Sequence, residues 1–218
     1  MLKKLALAAA LGVAALNVQA DTVSYGWEDG VGTVLGEFGS GMQYSNTDAL
    51  AYSGSRSLLV EDVDTGTSGT PQGYVAWVTG LTDGDTVDAS FWAFDTSAGA
   101  SPSVRIWGHY TTGSDVNSYS GSAGGNNTYS GDTTWSQLSQ SWVFDSASGT
   151  RDGLMVEVRF YDSTSVTTGS ALIDDLVVTS SAGTISVPGS VSAVPLPGAV
   201  WLFGSGMLGL VSLMRKRA

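Results

Sequence analysis

The chain of 218 residues has no cysteine, one histidine and five prolines. Without cysteine it can form no disulfide, offer no thiolate nucleophile and build no sulfur-ligated metal centre. With His109 as the lone imidazole, a zinc or iron site of histidines cannot be assembled, and a Ser-His-Asp set would have no second base to choose from. Basic residues are also scarce: nine stand against twenty acids, and five of the nine (Lys3, Lys4, Arg215, Lys216, Arg217) lie at the two ends. Between the ends, twenty acids against four arginines leave a net charge of −16. Such a region repels phosphate backbones and anionic membrane surfaces, which excludes nucleic acid as a partner. A phosphate loop is missing too, because Gly124-Gly125 has neither the following lysine nor a strand-to-helix setting.

Hydrophobic runs are confined to the ends. Lys3 and Lys4 precede an apolar stretch over residues 5–16, which closes on Val18-Gln19-Ala20, a small-x-Ala pattern. Residues 1–20 therefore read as a secretory signal peptide, handled by the Sec export machinery and signal peptidase, with cleavage after Ala20. At the other end, residues 199–214 are apolar apart from Ser205 and Ser212 and stop at Arg215-Lys216-Arg217. That reads as a short transmembrane helix with a cytoplasmic basic stop, just under the roughly 17–25 residues of an ordinary span.

Glycine, serine and threonine are abundant between these ends and charge runs are missing, which suits many short strands joined by turns. Alternation is clearest over residues 86–94, 103–110 and 154–161, where one parity is aliphatic or aromatic: Val87, Ala89, Phe91; Val104, Ile106; Leu154, Val156, Val158, Phe160. A period of two with β-branched and aromatic enrichment predicts strands with one buried face. Further strands are expected over 23–27, 57–60, 74–78, 136–144 and 171–179. With no helical period, these eight predict an all-β antiparallel sandwich of the jelly-roll kind over 21–179. The Gly- and Ser-rich run 111–134 reads as a long surface loop, and 180–193 as a flexible linker.

Two constellations stand out. Asp174-Asp175 is flanked by apolar residues on both parities, so whichever parity faces inward should carry a carboxylate with it. A buried carboxylate needs a cation or strong hydrogen-bond donors. One reading is a structural Ca2+ held by Glu28 and by Asp174 or Asp175, with backbone carbonyls from Ser53 to Arg56. The other is an aspartate accepting backbone N–H groups. Opposite the buried parity lie Trp92, Arg105, Trp107, His109, Arg159 and Tyr161, a mix of flat rings and donors that suits stacking on sugars and bonding their hydroxyls. The same residues could instead pack beneath a loop. Catalysis has no matching constellation, so the chain reads as non-enzymatic; the separation of a carboxylate pair for glycoside hydrolysis is not given by sequence.

The tail carries a family resemblance. Val194-Pro195-Leu196-Pro197-Gly198-Ala199, the Gly-containing helix and the terminal Arg-Lys-Arg resemble a PEP-CTERM sorting signal of the VPLPA type over 194–218. The resemblance implies a Gram-negative bacterium in which the helix enters the inner membrane, an exosortase-type membrane protease there processes the tail, and the chain is delivered to the cell surface or an extracellular polysaccharide matrix. The middle resembles a carbohydrate-binding module of the galactose-binding-like class. Trp27-Glu28-Asp29-Gly30, Tyr52-Ser53-Gly54-Ser55-Arg56-Ser57-Leu58, Gly80-Leu81-Thr82-Asp83-Gly84-Asp85, Ser90-Phe91-Trp92-Ala93 and Ile173-Asp174-Asp175-Leu176 carry it. That class implies sugars on a sheet face or loop rim and calcium near the early acid and the late aspartate. The expected function is thus an exported polysaccharide-binding protein. A self-associating matrix component without a ligand, and a hydrolase or lyase, are the alternatives.

Overall fold

A computed structural model describes residues 20–63, 70–96, 103–126, 128, 133–161 and 169–189. The apolar stretch 5–16 and the sorting motif 194–218 lie outside the described residues. Among the described residues, no helix is long and apolar enough to cross a membrane.

Twelve strands are present: β1 Asp21–Tyr25, β2 Gly36–Phe38, β3 Met42–Thr47, β4 Ser57–Asp62, β5 Gln72–Thr79, β6 Thr86–Asp95, β7 Ser103–Thr111, β8 Ser122–Gly125, β9 Ser136–Val143, β10 Gly153–Tyr161, β11 Ser170–Ser180 and β12 Thr184–Ser186. They form two six-stranded sheets. Sheet A runs β3-β4-β11-β6-β9 with β1 also paired to β11, and sheet B runs β12-β5-β10-β7-β8 with β2 also paired to β5. The pairings are antiparallel. The eight expected strands are all here.

The alternation acts as expected. On β6, Val87, Ala89, Phe91 and Ala93 turn inward; on β10, Leu154, Val156, Val158 and Phe160 do the same and meet them in one core with Ile106, Leu138, Trp142 and Val178. Apolar burial on both sheets is what holds the sandwich, at about 1.5–3 kcal/mol for each large side chain withdrawn from water.

Three expectations are corrected. The run 111–134 is not one irregular loop, since β8 forms inside it and pairs with β7. The linker does not begin at residue 180: β12 pairs with β5, and Ile185 and Val187 join the core, so the sandwich extends past its expected boundary. And neither acid of Asp174-Asp175 follows the inward parity, although one carboxylate is buried as expected: Asp174 is fully buried beneath the Tyr52 and Ser53 N–H groups, whose hydrogen bonds it accepts. The register of β11 slips against β6 between Asp174 and Val177, and Asp175 sits at a φ of 47°. This bulge lets Ile173 and Leu176 both face inward while the two acids between them stay on the outer side. Aspartate tolerates this left-handed conformation better than most residues.

Candidate functional site

The outer face of sheet B gathers rings and donors. Because Val104 and Ile106 point into the core, β7 sends Arg105, Trp107 and His109 to the outer face, and β10 sends Met155, Glu157, Arg159 and Tyr161 beside them. Register places His109 across from Met155, Trp107 from Glu157 and Arg105 from Arg159. On the other flank of β10, Tyr74 stands opposite Glu157 and Gln72 opposite Arg159. β2 then sets Phe38 opposite Gln72. The segment after β7 brings Asn117 and Tyr119 over the sheet, and a cleft of about 470 Å³ opens among Phe38, Gln72, Tyr74, Asn117, Tyr119 and Arg159. Gly36 keeps it tight, since a Cβ there would meet Asn117 Oδ1 at 2.8 Å and Tyr74 Cδ2 at 3.0 Å.

The floor is a buried charge network. Glu157 is fully buried and accepts from Arg159 Nε at 2.7 Å and pairs with His109 Nδ1. With its amide nitrogen turned to Glu157, at 3.1 Å from each carboxylate oxygen, Gln72 also accepts from Arg159 Nη2 at 3.2 Å. Isolated burial of a carboxylate would be costly; these partners satisfy it and in return lock Arg159 and Gln72 in place. Burial, reinforced by the Glu157 charge and partly offset by Arg159, pushes the Tyr74 phenol up to about 12, so it stays a hydrogen-bond donor across the physiological range.

The rim is aromatic. Phe38 is 61% exposed and Tyr119 is 67% exposed. Tyr119 and Tyr74 lean on His109 at ring separations of 5.5 and 5.1 Å. Two exposed rings flanking an amide and a guanidinium fixed from below match what a pyranose requires: apolar faces to stack on and donors at its edge.

Five of the six residues expected on one sugar-binding face lie together, and the sixth does not. Arg105, Trp107, His109, Arg159 and Tyr161 share one face, but His109 is buried and serves to hold Glu157. The Trp107 ring is engaged by the guanidiniums of Arg159 and Arg105 at 4.5 and 5.3 Å, and its Nε1 donates to Ser122 Oγ at 2.9 Å. Arg105 also lies over the Tyr161 ring at 4.3 Å. Trp92 is not on this face at all. It sits on sheet A, opposite Asp174 and Gln137, stacked on Tyr52 at 3.9 Å and 11°.

Missed by sequence reasoning were Phe38, Gln72, Tyr74, Asn117, Tyr119 and Glu157. Only Glu157 had a usable signal: a charge between Met155 and Arg159 on the parity opposite the aliphatic one.

The residues expected to hold calcium do converge. Glu28 Oε1 accepts the N–H groups of Ser55 and Arg56 at 2.9 and 3.0 Å, and Oε2 accepts the Ser55 hydroxyl at 2.8 Å. Asp174 Oδ2 accepts the N–H groups of Tyr52 and Ser53 at 2.8 and 3.1 Å, Oδ1 accepts that of Asp175 at 2.7 Å, and Ser53 Oγ donates to Asp175 Oδ1 at 2.8 Å. The segment thus offers N–H groups to the carboxylates, where a cation would need carbonyls. Among the described residues, no three His, Cys, Asp or Glu gather at metal-holding positions. These residues do not fit a calcium cage; they fit the second reading, carboxylates accepting backbone N–H groups. The Ser55 and Arg56 N–H bonds hold the Glu28 carboxyl below its usual range. Desolvation pushes Asp174 upward despite its three bonds.

No family model and no curated protein matches the sequence. Solved structures do match in shape. The CBM22-2 xylan-binding domain of Paenibacillus barcinonensis Xyn10C aligns over 72% of this chain and 98% of its own, at 20% identity and a TM-score of 0.51. The C-terminal family 22 carbohydrate-binding module of Clostridium thermocellum Xyn10B aligns over 78% and 94%, at 20% identity and 0.48. The enzymatically active domain of bacteriophage CBA120 tailspike protein 4 aligns over 68% and 19%, at 11% identity and 0.46. At these identities the likeness is one of fold, a two-sheet antiparallel β-sandwich.

Proposed function

We propose that the sandwich is a non-catalytic polysaccharide-binding domain that takes a hydroxyl-rich chain into the sheet B cleft. The observation that carries this is the cleft itself: exposed Phe38 and Tyr119 flank Gln72 and Arg159, which the buried Glu157 immobilises. The Tyr119 and Phe38 rings stack on sugar faces, while Arg159, Gln72, Asn117 and the Tyr74 hydroxyl bond the hydroxyls. Preorganisation of donors from below reduces the ordering cost of binding. That a domain of matching shape is described as xylan-binding agrees with this class of ligand. A non-catalytic role is supported by the cleft's described residues: the carboxylate at its floor, Glu157, is buried and engaged by Arg159, whereas glycoside hydrolysis uses a flanking pair. Replacing Tyr119 with alanine should weaken retention on polysaccharide roughly 5- to 30-fold, the worth of about 1–2 kcal/mol of ring contact, without lowering the melting temperature. Undiminished retention would reject the cleft.

Glu28 and Asp174 act in this account as anchors for the 52–56 segment, with no calcium between them. We further propose that the chain is exported through its first twenty residues and delivered to the cell surface or matrix by its tail, processed by an exosortase-type protease. The supports are the Val194-Pro195-Leu196-Pro197 motif, the apolar run and the basic stop. An epitope placed after Arg217 should be lost from the surface or secreted form; an epitope retained there would contradict tail processing.

A further inference from the structure

The outer face of sheet A carries a second concavity that the cleft does not use. Because Val87, Ala89 and Phe91 point into the core, β6 presents Asp88, Ser90 and Trp92 outward. Ser141 and Ser139 of β9 stand beside Asp88 and Ser90, and Thr179 and Val177 of β11 stand beside them on the other flank. These residues line a cavity of about 460 Å³. An adjoining one of about 420 Å³ shares Val177 and continues to Trp92, Gln137, Asp175 and Tyr25. Four residues of extended strand cover about 13 Å, so the path from Asp88 to Trp92 suits a length of polymer better than a single small molecule.

The lining names the occupant. Its polar groups are hydroxyl, amide and carboxylate, set among Ala89, Val177, Leu176 and the Tyr25 and Trp92 rings, and among the described residues neither cavity has a lysine or arginine in its wall. Asp88, Asp175 and Glu28 repel an acidic chain and offer acceptors to sugar hydroxyls. At one end, the Trp92 ring is fixed by its stack on Tyr52, against which Trp135 packs edge-on at 5.7 Å. A held ring beside a hydroxyl-lined floor is a stacking platform for a pyranose.

We infer that this trough is a second polysaccharide-binding site, for uncharged chains, on the opposite side of the sandwich from the cleft. Two sites on opposite faces cannot close on one short segment, so a single domain joins two chains. This goes beyond the cleft and stands without it.

The test is affinity electrophoresis of the purified full-length chain through gels containing xylan, mixed-linkage β-glucan or galactomannan, with alginate as the acidic control. Four proteins are compared: the native chain, Tyr119→Ala, Ser139→Glu and the double variant. Ser139 lies exposed on an edge strand, so the charge fills the trough without touching the core. The inference predicts that the native chain is retarded by an uncharged polymer and not by alginate, that Tyr119→Ala keeps part of the retardation, and that the double variant loses it. Tyr119→Ala abolishing retardation while Ser139→Glu migrates as native would overturn the trough and leave the cleft. Ser139→Glu abolishing it while Tyr119→Ala is silent would overturn the cleft and leave the trough. No retardation of the native chain by any of the uncharged polymers would overturn both.

Discussion

Glu28 accepts two backbone N–H groups and a hydroxyl, so its charged form is favoured by folding and its carboxyl titrates below the usual range. A depressed acid contributes stability above its unfolded pKa and loses it as pH falls. Stability should therefore decline as pH drops through about 4.5 and below, and Glu28→Gln should flatten that part of the curve. Melting temperatures of the two proteins between about pH 3 and 6 check this; parallel curves would remove Glu28 from the acid transition. Asp174 has the opposite sign, because desolvation raises it and its ionised form works against folding as pH rises. At this scale the sequence was a mixed guide. Arg159 and Arg105 were readable from parity, and so was the pairing of Glu28 and Asp174 with the 52–56 segment, with calcium and backbone N–H groups left as alternatives for what meets the carboxylates. Whether N–H or carbonyl groups face a carboxylate is a matter of backbone direction, which residue types do not encode. Tyr119 and Asn117 lie in a segment without period, and Phe38 in a strand of three residues, so nothing in their neighbours marked them.

Elements divide by what creates them. The eight strands with alternating aliphatic or aromatic residues were legible, because the pattern that forms the core is the pattern that is read. β2, β3, β8 and β12 were not. Ser122–Gly125 contains two glycines and Thr184–Ser186 one apolar residue, so pairing with β7 and β5 makes them strands, not propensity. The bulge at Asp175 was likewise invisible; it turns both acids to the outer side of sheet A, where Asp174 is buried against the Tyr52 and Ser53 N–H groups. β12 gives a direct test. Ending the chain after residue 181 removes Ile185 and Val187 from the core and should cost about 3–6 kcal/mol, whereas ending it after residue 189 should cost none of this. Equal denaturation midpoints for the two truncations would return residues 184–187 to a linker.

The whole molecule is an acidic sandwich with two unlike outer faces. The region between its ends carries a net charge of −16, and on sheet B the guanidiniums of Arg105 and Arg159 both approach the Trp107 ring while Arg159 bonds the buried Glu157. The fold class was legible from composition and period together; which residues share a face was not, because Trp92 shares the parity logic of Trp107 yet belongs to the other sheet. Since N–H groups meet the acids that calcium would have bridged, chelation should leave the melting temperature unchanged and calcium should not restore or raise it. A drop on chelation that calcium reverses would reinstate the metal. The most direct test of the central claim is titration calorimetry of xylan and mixed-linkage β-glucan oligosaccharides into residues 21–189, native and Tyr119→Ala. The account predicts saturable binding to the native domain that Tyr119→Ala weakens at unchanged stability; a folded native domain that binds neither, or a variant that binds as well as native, would contradict it.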